Sequence, residues 1–475
     1  MTRARVAIVA AALAFTGACI TVRADQAPPS AVGDESVFWI AASPAYVHTG
    51  LLLEMSTPFQ GSCKANCTEL WVTHDGGSSW ARSPAAGWNQ GRPVIGVDAH
   101  GKEVVFAATG TEMLRSDDQG VSWHQVAGGG SLPTLSPNFA RDAMVAVASG
   151  DTSGDYILRG TASQPVTGSG GAITDLQFAL SPSYPSGGLF PPALLSGADL
   201  STNLPVIQQC SAALACSGST TLPGAVSFSA PATLLPAGDF PSTGVVFAQS
   251  GRGVYKSLDG GNSFAALTIV NGADTATTAT PSVALAPGYR DRGQVRTLFT
   301  SVFSVHPDIN DPHTTGGLYR SDDGGISWRK MGSPSPLDGG STAVGVAPDG
   351  RLFAGYLSTS AETGTHGGLL CSTDGGNSWQ ASCPAVGDRA SSSARPRATG
   401  PVALGRSPGA PVGSGAPCAT AECPSASPGA GGEGGGNGGR RAGGASGITV
   451  AIVAGVILVA GAGAAAAYIR FRRLL

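Results

Sequence analysis

SDDGGISW, at Ser321 to Trp328, decides how this chain is to be read. Its pattern, Ser/Thr-x-Asp-x-Gly-x-Ser-aromatic, recurs as THDGGSSW (Thr73 to Trp80), SDDQGVSW (Ser116 to Trp123), SLDGGNSF (Ser257 to Phe264) and STDGGNSW (Ser372 to Trp379). The Asp offers a short acceptor to nearby backbone N–H groups and the Gly is free to take positive φ, so each copy is a turn that fastens itself. The closing aromatic re-enters a strand, where it covers the apolar layer between sheets. Of the seven Trp in the chain, Trp80, Trp123, Trp328 and Trp379 hold this position, and Phe264 holds it in the remaining copy. Such regularity belongs to a fold element. Copies separated by one sheet length, or multiples of it, describe a repeat protein whose unit is a small antiparallel sheet.

The phrase resembles the Asp-box, or BNR repeat, of sialidases, sortilin-type receptors, photosystem II assembly factors and many bacterial surface proteins. The resemblance implies an all-β fold, a β-propeller over residues 36–385. It also implies that Asp75, Asp118, Asp259, Asp323 and Asp374 sit on turns joining the two outer strands of a blade, away from the central cavity where ligands usually bind.

A weaker repeat counts the blades. Each unit opens with an apolar strand that ends in a turn containing Pro or Gly: AASPAY (Ala41 to Tyr46), VDAHGK (Val97 to Lys102), LSPNFARD (Leu135 to Asp142), LSPSYPSG (Leu180 to Gly187), LPAGDF (Leu235 to Phe240), LAPGYRDRG (Leu285 to Gly293) and VAPDGR (Val346 to Arg351). They recur at roughly 40–60 residues, the length of a four-stranded blade. Seven blades are expected, two of them without a box. The third keeps its strand in YILRGTASQP (Tyr156 to Pro165) but has no Asp, and the fourth has Cys210-SAALA-Cys216 where the box should stand, so that a disulfide clamps the same outer turn.

The ends place the molecule. MTRARVAIVAAALAFTGACITVRA has early Arg residues, an apolar run and a small-residue cleavage site, so residues 1–24 read as a secretory signal. Residues 386–446 are rich in Gly, Ala, Ser and Pro and too poor in large apolar side chains to fold, which reads as a flexible stalk. Residues 447–469 are uncharged, apolar and long enough to cross a bilayer as a helix, and the basic residues within 470–475 mark a short cytoplasmic tail. A single-pass cell-membrane protein with an extracytoplasmic propeller is expected. Of the nine cysteines, Cys19 belongs to the signal, and the other eight fall into neighbouring pairs: Cys63–Cys67, Cys210–Cys216, Cys371–Cys383 and Cys418–Cys423. Disulfides in an oxidising compartment are the expectation, since zinc would need further ligands at suitable spacing. Cys371 and Cys383 flank the last box and should tie the outer strands of blade seven.

Charged residues are 12% of the chain and the net charge is −3, which excludes the basic field that nucleic-acid binding needs. Sialidases place three Arg on a substrate carboxylate, one of them from an Arg-Ile-Pro motif, with a Tyr nucleophile paired to a Glu. Here Gly91-Arg92-Pro93 only approximates that motif. Tyr255 and Tyr319 precede boxes at apolar blade positions, and Arg115, Lys256 and Arg320 recur just before boxes, as repeat positions would. No two carboxylates are paired by any pattern, so no catalytic set and no cofactor is expected. The insertions fall between second and third strands, on the face away from the boxes: Thr57 to Glu69, Gly197 to Leu204, His306 to Thr315 and Ser358 to Gly367. Within HPDINDPH, His306, Asp308, Asp311 and His313 carry donors suited to a divalent ion, although a Pro-braced surface turn is the plainer reading. The sequence thus points to a non-catalytic binding or scaffold module for an extracellular protein or glycan, with a sialidase-like hydrolase as the alternative.

Overall fold

The computed structural model describes residues 35–58, 68–84, 92–130, 132–148, 154–160, 162–166, 173–224, 232–250, 253–269, 278–304, 316–331, 337, 340–360 and 364–386. They form seven antiparallel sheets, each ordered as its strands occur in the chain: a seven-bladed β-propeller. The first strands are Glu35–Ala42, Val94–Val97, Pro133–Leu135, Ile173–Leu180, Thr233–Pro236, Thr278–Leu285 and Ser341–Val346. Neighbouring first strands touch one another from blade to blade, so they form the inner wall. The expected openings are the turns that leave these strands.

Six blades have four strands, whereas blade seven has three plus a bridge between Cys371 and Gln380, a departure from the uniform four-stranded expectation. The insertion expected at Ser358 to Gly367 is strand rather than loop: Leu352–Ser360 and Gly364–Ser372 stay paired out to Ser360 and Gly364. The expected signal, the expected stalk beyond Val386, the expected membrane segment and the expected pairs Cys63–Cys67 and Cys418–Cys423 lie outside the described residues. Among the described residues no helix is long and apolar enough to cross a membrane.

Each box does what its residues dictate. In the first copy Asp75 Oδ1 accepts from the N–H groups of Ser78 and Ser79, both at 2.9 Å, while Oδ2 accepts from the Ser79 hydroxyl at 2.5 Å. Thr73 Oγ1 donates to Asp75 at 2.7 Å and accepts from Gly77 N–H at 3.0 Å, relaying the carboxylate to the far side of the turn. Asp118, Asp259, Asp323 and Asp374 repeat this with their own Ser and Gly. The position after the Asp needs φ near +60° to +80°, which Gly76, Gly260, Gly324 and Gly375 supply; Gln119 takes φ +61° there in the second copy, its amide held by Glu103 Oε2 at 2.5 Å. The box turn also bonds the opening turn of its own blade, Gly76 N–H to Gly50 O at 3.0 Å and Gly260 N–H to Gly244 O at 2.9 Å. Boxes and opening turns therefore share one face, and the first strands begin on the other.

The core is seven apolar clusters, one per seam between blades. Every box aromatic packs on the blade before it: Trp80 on blade seven, Trp123 on one, Phe264 on four, Trp328 on five and Trp379 on six. A second aromatic follows the opening turn of five blades, as Tyr46, Phe139, Tyr184, Phe240 and Tyr289, all buried. Tyr46, Phe139 and Tyr289 meet Phe353, Phe106 and Phe247 of the preceding blade edge-to-face. In blade four the disulfide Cys210–Cys216 closes the outer turn, as expected, and Cys210 with Leu214 fills the seam where a box aromatic would pack. In blade three Arg159 pairs directly with Ala162, so a plain hairpin turn replaces the box.

The ring closes between blades seven and one without a strand shared between them. Cys383, bonded to Cys371, donates its N–H to Gly77 O at 3.2 Å, Ser382 Oγ donates to Ser78 O at 3.1 Å, and Val386 N–H donates to Asp75 O at 3.2 Å. The Cys371–Cys383 bond was expected to tie two strands of blade seven; it instead anchors a strap that ends on the first box. Val386, assigned from composition to the stalk, is part of that strap. The same seam holds acid. Glu35 accepts from the Ser56 hydroxyl and from Trp71 Nε1 at 3.0 Å. Glu54 is wholly buried, two residues from seam-facing Leu52, and neither of its oxygens has a hydrogen-bond partner among the described residues. Burial, then the neighbouring Glu35, pushes its carboxyl well above the usual range.

Box and seam carboxylates give stability opposite dependences on pH. Partial burial opposes ionisation of Asp374, but the Ser378 hydroxyl and N–H, with the Ser372 hydroxyl, bring it down to about 2. Depressed carboxylates stabilise the fold above the ordinary Asp value and lose that contribution as pH falls from about 4 towards about 2. Asp374→Asn should lower stability at neutral pH by about 1 kcal/mol after solvent screening, and urea midpoints of the two proteins should converge near pH 2. Glu54 has the opposite sign, because its folded value is raised: its penalty is absent below pH 4 and grows as pH rises. Glu54→Gln should stabilise the protein by about 2 kcal/mol at pH 7 and by little at pH 4, measured by the same titrations.

Candidate ligand cavity in the central channel

The first strands of blades one to four line an open cavity of about 280 Å³, formed by Trp39, Ala41, Pro93, Val94, Ile95, Pro133, Thr134, Leu135 and Gln177. All but Pro93, which directly precedes its strand, lie in first strands. The walls are mostly apolar, as expected for β-branched and Pro-rich strands buried on both sides. Thr134 Oγ1 is committed to Phe178 O at 2.6 Å.

Two polar atoms in the wall are not committed. Trp39 Nε1 and Gln177 Oε1 are both buried and have no hydrogen-bond partner among the described residues. Each residue directly follows a β-bulge, between Val37 and Trp39 in blade one and between Asp175 and Gln177 in blade four. A bulge shifts the side-chain alternation and re-aims the next side chain along the strand. The same irregularity, which the first strands of blades six and seven also have, thus precedes two residues of the lining whose indole N–H and amide oxygen are themselves buried.

Arg92 directly precedes the lining residue Pro93 and stands against another, Trp39. Its guanidinium stands over the Trp39 ring, 5.3 Å from the centroid, and Nη1 donates to Thr233 Oγ1 of blade five at 2.6 Å. Arg92 and Thr233 stand at the beginning of first strands, hence at the end of the channel opposite the boxes. Arg92 is partly accessible to solvent yet surrounded by protein, as a side chain in a narrow channel would be. Burial draws its guanidinium below the ordinary arginine range, and it stays charged at neutral pH. It forms no ion pair among the described residues. A desolvated cation with one neutral partner is costly unless something else neutralises it.

The other residues weighed for catalysis are elsewhere. Arg115, Lys256 and Arg320 lie over Phe106, Phe247 and Phe299 of their own blades' second strands, 5.4 to 5.7 Å from the centroids. Lys256 also pairs with Asp291 at 2.6 Å. They are repeat positions, as the spacing implied. Tyr255 and Tyr319 are buried in blades. No Asp or Glu lines the cavity among its residues. His306, Asp308, Asp311 and His313 lie outside the described residues, and among those described no group of three His, Cys, Asp or Glu is arranged to hold a metal ion. Trp39 and Gln177 were not foreseen. The available signal was that Trp39, with Trp71 and Trp88, is a Trp outside the repeated phrase.

An acceptor left unpaired in a wall destabilises the empty protein. Gln177→Leu should raise the stability of the unliganded protein by about 1 kcal/mol, read as a higher urea midpoint with unchanged slope.

A family model described as BNR/Asp-box repeat matches residues 319–330. A search of curated proteins finds no match. Among solved structures, the chain is similar to a GH74 xyloglucanase from Xanthomonas campestris at 14% identity, covering 73% of this chain and 66% of that one with a TM-score of 0.35. It is similar to YCF48 from Cyanidioschyzon merolae at 15% identity, covering 71% and 95%, TM-score 0.39. It is also similar to an α-L-arabinanase from Penicillium chrysogenum, solved with arabinobiose, at 13% identity, covering 72% and 97%, TM-score 0.38. The first of these likenesses spans just under two thirds of the enzyme's length. At such values none of them bears on substrate or partner. The chain is a seven-bladed β-propeller, and the stretch at 319–330 that includes its fourth repeated phrase matches the BNR/Asp-box repeat.

Proposed function

We propose that this is an exported propeller, anchored by its C-terminal apolar segment, that binds an extracellular protein or carbohydrate without transforming it. The observation that carries the reading is the cavity, lined mainly by apolar first-strand residues of four blades, with the Arg92 guanidinium over the ring of its lining residue Trp39. Binding sites have this composition, an apolar surface with a few fixed polar groups.

A sialidase-like hydrolase is the second reading, and the position of Arg92 in the channel is the observation in its favour. It requires a nucleophile and an acid beside the cavity. The two readings separate in one pair of measurements on the full chain. Saturable binding on peptide or glycan arrays, with no release of fluorophore from a fluorogenic sialoside, is the expected result. Turnover that is lost in Arg92→Ala would establish the hydrolase instead. The anchor is tested by fractionation: the intact chain should sediment with membranes, and truncation before Gly447 should release it.

A further inference from the structure

We infer that the box-bearing face is a membrane-contact surface, with the turns of blades four to six lying on the outer leaflet of the bilayer that holds the chain. This rests on the anchored reading above and names what the head touches.

Seven large apolar side chains are exposed among the described residues. Six of them, all but Leu200, stand in boxes or in the turns between first and second strands, and so at the tips of one face. The most prominent are Leu189, Ile326 and Leu258, at 82%, 77% and 64% exposure. A solvated turn gains nothing from such residues, and several on one face mark a surface that meets something apolar.

Leu189, Leu258, Val295 and Ile326 fall in adjacent blades, and hydrogen bonds join their turns. Leu189 N–H donates to Pro241 O of the next blade at 2.9 Å, and Gly260, two residues after Leu258, donates to Gly244 O at 2.9 Å. Gly238 N–H donates to Tyr289 O at 3.0 Å, and Lys256 Nζ to Gly324 O at 3.1 Å. Gly324 N–H donates to Arg296 O at 3.1 Å, which sets the Val295 turn beside the Ile326 turn. The sector is one platform of linked turns with aliphatic side chains at its tips.

Cations flank those tips. Arg290 and Arg292 are exposed and form no ion pair among the described residues. The acids around them are already taken: Asp239 accepts from the N–H groups of Asp291 and Arg292, Asp291 holds Lys256, and Asp322 holds Arg320. Arginine beside an exposed aliphatic side chain suits a lipid interface, where guanidinium meets phosphate and the apolar group enters the acyl boundary.

The separation of the tips selects lipid over protein. A protein partner buries a continuous patch with close shape complementarity, whereas a fluid surface admits side chains that stand apart on one face. The course of the chain favours the same face. Val386 is bonded to Asp75 of the first box, so the chain continues towards residues 447–469 from the box side. Tethering raises the effective concentration of the head at the bilayer, and weak contacts from a few side chains are then enough.

The test uses the full chain reconstituted in vesicles of phosphatidylcholine and phosphatidylglycerol that carry a headgroup nitroxide lipid. A thiol-reactive fluorophore is placed at Ile326→Cys or, on the opposite face, at Leu200→Cys. Quenching should be several-fold stronger at Ile326→Cys. Joint replacement Leu189→Ser, Leu258→Ser and Val295→Ser, all at exposed positions, should remove most of that difference, with circular dichroism checking the fold. Arg290→Gln together with Arg292→Gln should reduce it in the mixed vesicles and leave it unchanged in phosphatidylcholine alone. Equal quenching at the two positions in a chain that has entered the vesicles, or a difference that survives the triple replacement, overturns the inference and leaves the anchor standing. Shielding of the Ile326→Cys label from a soluble quencher in native membranes, but not in the vesicles, overturns it in favour of a protein partner. A chain that stays out of the vesicles removes the anchored reading and this inference together.

Discussion

A four-stranded sheet has two apolar faces and can bury neither alone. Everything else in this molecule depends on that constraint, because each blade must find a partner on both sides and the row of blades has to end where it began. Seven seams result, each filled by side chains from two blades. Box aromatics and opening-turn aromatics reach backwards into the preceding seam, so a blade is held by its predecessor as much as by its own strands. The last seam has no predecessor in sequence order, and there the chain adds a strap, a disulfide and hydrogen bonds to the first box. It is also the seam that holds Glu54, an unpaired acid placed where the closure is braced by other means.

The two ends of the ring have divided their tasks. On one, the box carboxylates and hydroxyls are held by short, repeated hydrogen bonds. On the other, first strands begin, and those of blades one, four, six and seven carry a bulge at a matching position. Repetition builds the scaffold, and the cavity is lined by residues that differ from blade to blade.

This division also explains what could be read from the chain. The blades were legible because their signal is written many times: five boxes, seven openings, and a pair of cysteines standing where a sixth box would be. The cavity was not, because its residues come from four different blades and each occurs once. Gly91-Arg92-Pro93 was visible only as an imperfect motif, and nothing in its neighbours places Arg92 against Trp39, 53 positions earlier, or Thr233, 141 positions later. A bulge leaves no residue signature in strands such as ESVFWIAA or ITDLQFAL. Ser358 to Gly367 misled for a local reason: its small and polar residues resemble a loop, yet backbone pairing carries the hairpin outward. The strap was hidden because Pro384 to Val386 share the composition of the segment after them.

The strap has a mechanical consequence. Val386 meets the first box through one backbone hydrogen bond and its side-chain packing, contacts that peel one at a time under load. Three residues earlier the chain reaches Cys383, covalently joined to the third strand of blade seven. A pull on the chain beyond Val386 would strip these outer contacts and then meet a sulfur bridge, which passes the load to a strand paired inside blade seven. The ring is therefore fitted with a strain relief at the point where its chain departs.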